Sequence, residues 1–106
     1  MAHYLFRAHY TQQGIQGVLK EGAASRRKVV DEMATSLGGK VEAMYWAFGD
    51  DDVIVIVDLP GNAAAAALAT RVSAAGGAGI STTVLLTAAD VDAARGLNVT
   101  YRPPGA

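Results

Sequence analysis

KVEAMYWAFGDDDVIVIVDL (Lys40–Leu59) reads as two strands and the turn between them. Aromatic and β-branched residues fit a pleated, half-buried surface, so Lys40–Phe48 is predicted to be a strand. Alternation sets Val41, Ala43, Tyr45 and Ala47 on one face, and Glu42, Met44, Trp46 and Phe48 on the other. Gly49–Asp52 supplies the turn: glycine tolerates positive φ, and aspartates bond their own backbone. Val53–Leu59 is a near-continuous apolar run, which predicts burial on both faces and a central place in a sheet. The two strands are close enough in sequence to form a hairpin.

On the N-terminal side, His3–Tyr10 (HYLFRAHY) is a further predicted strand, with Tyr4, Phe6, Ala8 and Tyr10 facing the core and His3, Leu5, Arg7 and His9 opposite. Thr11 is placed to cap a helix. Gly14, Gly17 and Gly22 each cost a helix interior about 1 kcal/mol relative to alanine, so a short or irregular helix is expected, then a firmer one over Ala23–Leu37, stopped by Gly38-Gly39. On the C-terminal side, Pro60 ends the central strand and Asn62 is expected to cap an alanine-rich helix over Ala63–Ala75. Ile80–Leu86 is a fourth strand. Thr87 and Asp90 resemble a capping box, with a short helix running to Gly96. The order predicts an α+β fold: a ferredoxin-like βαββαβ sandwich, a four-stranded antiparallel sheet with both long helices on one side. Residues 1–96 form one domain, and 97–106, ending YRPPGA, an extended tail that runs over the surface or onto a neighbour.

Of the 106 residues 51% are hydrophobic and 18% charged, with a net charge of -1. That balance offers no field for a phosphate backbone, so nucleic acid is not an expected partner. With no cysteine, disulfides and thiolate sites are excluded. No apolar run reaches membrane-spanning length, and no basic-then-apolar leader opens the chain, so a cytoplasmic location with no membrane partner is expected. Helices on one side leave the other sheet face bare, and either Val53, Val55 and Val57 or Ile54 and Ile56 must lie on it. Wet branched aliphatics forfeit about 1.5–3 kcal/mol each, which predicts self-association as a dimer or higher homo-oligomer through that face.

Three segments resemble the GYD domain family, a dimeric α/β-barrel branch of the ferredoxin-like superfamily. Thr11-Gln-Gln-Gly14-Ile15 is similar to its T-x-x-G-I segment. Leu37-Gly38-Gly39-Lys40 is similar to its step into the second strand. Tyr45 through Val53, followed by Asp58-Leu59-Pro60, is similar to the Y-x-x-x-G-x-Y-D-x-V…P segment that names it. The likeness spans residues 3 to 90 or so. The family tyrosine is replaced by Asp51, so a site lined by that tyrosine would be altered here. The resemblance implies the dimeric barrel fold and brings no single activity with it.

Candidate ligand-binding residues are Arg7 and His9 on the bare face, Tyr45 and Trp46 pointing to opposite faces, and Asp52, the best acid/base candidate of the turn. No catalytic residue is identified from spacing. His3 and His9 lie roughly 20 Å apart along one strand, too far to share an ion, so no metal site or cofactor is expected. The reading is a homo-oligomeric domain that binds a small, hydrophobic molecule or serves as an assembly module. The alternative is a small cofactor-free enzyme, of monooxygenase or isomerase type, acting on a hydrophobic metabolite with Tyr45, Trp46, His9 and Asp52 at its site.

Overall fold

A computed structural model describes all 106 residues. Strands β1 (Ala2–Tyr10), β2 (Lys40–Trp46), β3 (Val53–Leu59) and β4 (Ala78–Leu85) form one antiparallel sheet in the order β2-β3-β1-β4. Helices α1 (Gln12–Glu21) and α2 (Ala23–Ser36) precede β2, α3 (Asn62–Ala75) links β3 to β4, and α4 (Ala88–Arg95) follows. The arrangement is α+β and consistent with the expected ferredoxin-like fold. β3 is central, as the VIVIV run predicts, and β1 is the other central strand.

The core lies between the sheet and helices α2 and α3. Tyr4, Phe6, Val53, Val55, Val57 and Leu59 are buried on the sheet side, meeting Ala34, Ala65 and Leu68 from the helices. Small residues on the helices let backbone approach sheet closely. Ile54 and Ile56 therefore point away from the helices. Tyr4 carries its hydroxyl into this core and donates it to Asn62 Oδ1 at 2.6 Å. This occupies Asn62, which is the first residue of α3 and not its cap; Gly61 caps α3 without a side-chain bond.

α1 and α2 form two helices separated at Gly22, whose φ of 91° is the left-handed region that favours glycine. Thr11 caps α1, accepting from Gly14 N. The Thr87–Asp90 capping box forms, with both reciprocal bonds present. The backbone N–H and hydroxyl of Thr87, with a smaller contribution from the charge of His3, hold the exposed Asp90 carboxyl below its ordinary value. A depressed carboxyl stabilises the fold above its ordinary pKa of 3.8 and gives that up only as pH falls through the depressed value.

Strict alternation fails in β2. Val41 pairs with Val57 and Ala43 with Ile56, so Glu42 is the extra residue of a β-bulge. The bulge returns Val41 to the helix side, where it packs on the core, while Ala43 and Tyr45 stay on the bare face. β2 also ends at Trp46, two residues short of the expected Phe48. Phe48 takes a left-handed backbone (φ 54°) and Ala47 N donates to Asp52 O at 3.0 Å, closing the hairpin.

The chain is longer than a 106-residue sphere. Its radius of gyration is 16.9 Å and its extents are 57 × 34 × 22 Å, against about 13 Å for a compact chain of this length. The excess comes with a C-terminal arm: every residue from Leu86 to Ala106 is exposed.

Candidate functional site

Two regions carry side chains that converge. The first is the bare face. His3, Leu5, Arg7 and His9 of β1 share it with Ile54, Ile56 and Asp58 of β3. Its centre is apolar, where Leu5, Ile56 and Ala43 lie abreast. Its ends are charged. At one end His3 Nδ1 lies 2.5 Å from Asp58 Oδ1 and 3.6 Å from Glu42 Oε2. At the other, His9 Nδ1 lies 3.2 Å from Asp52 Oδ2, and Arg7 Nε is 4.0 Å from Asp51 Oδ2.

The Gly49–Asp52 turn is tied to β1. Asp52 N donates to Ala8 O at 2.8 Å, and Asp52 Oδ2 accepts from Tyr10 N at 2.8 Å. That carboxylate is largely buried and satisfies a backbone donor where the β1–β3 pairing ends, which fixes it beside His9. Asp51 puts a carboxylate toward Arg7.

The five residues read from sequence do not form one pocket. Arg7, His9 and Asp52 cluster at one end of the bare face, and Tyr45 is an exposed neighbour on that face. Trp46 lies on the helix side, half-buried, where its Nε1 donates to Tyr10 Oη at 3.0 Å.

The second region is a cleft of about 380 Å³ under the helices, between α1, α2 and the α3–β4 junction. Tyr10, Val18, Val29, Met33 and Val72 give it apolar walls, and Arg26, Arg71 and Glu21 charge its rim. Arg26 lies 3.6 Å from Glu21; Arg71 has no ion-pair partner within 4 Å. A smaller apolar recess of about 80 Å³, lined by Phe6, Met44 and Leu68 among others, adjoins it and shares Tyr10, Met33 and Val72.

Sequence reading missed both the His3–Glu42–Asp58 group and the cleft. Asp58 was the available signal for the first, as the one charge inside an apolar run. Glu42 gave none, because alternation grouped it with Met44 and Trp46, and only the bulge separates it from them. The cleft joins residues far apart in sequence and has no local pattern.

The family profile described as GYD domain matches residues 4–94 of the chain. No curated protein and no solved structure is significantly similar.

Proposed function

We propose that this chain, which belongs to the GYD domain family, is a self-associating module that binds a small, largely apolar molecule carrying an acidic group. The observation that carries self-association is the C-terminal arm. Leu97, Val99 and Tyr101 are 72%, 81% and 72% exposed, and with Leu86 and Val91 they form a run of exposed apolar side chains. Scattered exposed apolar residues need no explanation, but a run of them marks an interaction surface. A second copy of this chain fits, because it brings its own bare sheet face. Sedimentation velocity at micromolar concentration should find a dimer or larger species for the full chain. A chain ending at Leu86 should sediment as a smaller species. Monomeric full-length protein sinks the reading.

The cleft supports the ligand. Its walls would hold an apolar body, and Arg71, exposed at the rim and free of a carboxylate partner, would meet an acidic group there. The anionic aromatic probe anilinonaphthalene sulfonate should bind with enhanced fluorescence, and Arg71→Gln should weaken it by about fivefold or more, near 1 kcal/mol. Equal affinity of wild type and Arg71→Gln removes the cleft from the proposal.

A catalytic reading rests on a different observation, the His9–Asp52 pair. A carboxylate on Nδ1 is the arrangement that orients a histidine base. A substrate screen with turnover abolished in His9→Ala would establish it.

A further inference from the structure

We propose that His3, Glu42 and Asp58 form a binding site for a divalent first-row transition metal, zinc being the fitting probe. The three side chains come from three neighbouring strands, and their donor atoms all lie within 4.8 Å of one another. Two donors on one zinc at about 2.0–2.2 Å stand roughly 3.0–3.5 Å apart, depending on the bond angle. His3 Nδ1 and Glu42 Oε2, at 3.6 Å, are already near that spacing. His3 Nδ1 and Asp58 Oδ1, at 2.5 Å, need to part by a fraction of an ångström, within reach of small χ adjustments.

Two further observations point to a cation. The Asp58 side chain is 10% exposed, and His3 is its sole hydrogen-bond partner. A carboxylate so placed is costly unless positive charge offsets its lost hydration. Second, Glu42 belongs to this face only because of the bulge. Without the extra residue it would point to the helix side, as alternation predicts. Bulges re-aim side chains beside functional sites, and here the re-aimed group is the third donor. The expectation that no metal would be held rested on donors within single segments, the two histidines of one strand among them. The donors that matter come from across the sheet.

The donor set selects the ion. Magnesium and calcium favour all-oxygen cages, whereas one imidazole with two carboxylates suits zinc, iron or manganese. Three protein donors leave a coordination position for water or a ligand. This inference stands apart from the arm and the cleft, since a single chain supplies every donor.

Isothermal titration of zinc into the metal-stripped full chain should show one ion per chain at micromolar affinity or tighter. Glu42→Gln and His3→Ala should each weaken binding by about tenfold or more. Asp92→Asn, an exposed carboxylate of α4, should retain it. Cobalt should give visible ligand-field absorption with the wild type and lose it in both site variants. Because Glu42 is exposed and outside the core, its variant reports on the site without loss of the fold. Millimolar affinity, half an ion per chain, or equal affinity in Glu42→Gln, His3→Ala and wild type would each overturn the site.

Discussion

Gly14→Ala should destabilise the domain by about 3 kcal/mol, the upper end of the usual overpacking cost, while Gly17→Ala, one turn further along the same helix, should stabilise it by about 0.5–1 kcal/mol. The difference is in what a methyl group meets. At Gly14 it would stand 1.8 Å from the carbonyl oxygen of Gly77 and 2.7 Å from the carbonyl carbon. Both are backbone, so no flexible side chain can yield. Nor can the helix slide away. Thr11 N donates to Gly77 O at 3.0 Å, and the Thr11 hydroxyl donates to Gly76 O at 2.9 Å. The cap of α1 is thus bonded to the same turn that Gly14 must approach. At Gly17 nothing lies within 4 Å, and alanine only gains helix propensity. Urea unfolding of both variants measures the contrast. Equal shifts in midpoint would mean that α1 is not docked on the α3–β4 turn.

The same contact explains why part of the fold was legible and part misread. From sequence, Gly14 counted as one of three residues weakening a helix. It serves as the close-approach point of the Thr-x-x-Gly segment, a role that only the distant Gly76–Gly77 turn gives it. Elements set by local chemistry read correctly: the β1 face pattern, the Thr11 and Thr87 caps, the Gly22 break and the central VIVIV strand. Elements set by a partner elsewhere did not. Asn62 looks like a cap until the buried Tyr4 hydroxyl claims its side chain. Glu42 follows alternation until the pairing of Val41 with Val57 and Ala43 with Ile56 forces the bulge. For the candidate site, the bare-face residues Arg7, His9 and Asp52 were legible because strand period and turn position place them. Arg26 and Arg71 were not, since helix packing alone brings them to one cleft.

On the proposed self-association through the bare face, Ile56→Asp should leave the full chain monomeric and its fold intact. Ile56 sits at the centre of the bare face, abreast of Leu5 and Ala43, and no helix covers it. In a two-fold pair in which each copy's bare face is covered by the other, the substitution strikes the interface twice. Each copy loses an aliphatic contact of about 1.5 kcal/mol or more, and each carboxylate would be desolvated among aliphatic side chains at a further cost of at least about 1 kcal/mol. The sum, about 5 kcal/mol, is more than a thousandfold in the dissociation constant, enough to abolish association at micromolar concentration. The isolated domain should keep its circular dichroism and unfold cooperatively, because the helix-side core is untouched. Phe6→Ala is the contrast: it lies on the adjacent strand but on the helix face, fully buried, and should cost the fold itself about 3–5 kcal/mol. Sedimentation velocity and thermal unfolding on both variants separate the two faces of one sheet. If Ile56→Asp remains associated, the bare face is not the interface, and the exposed arm must hold the copies together by itself.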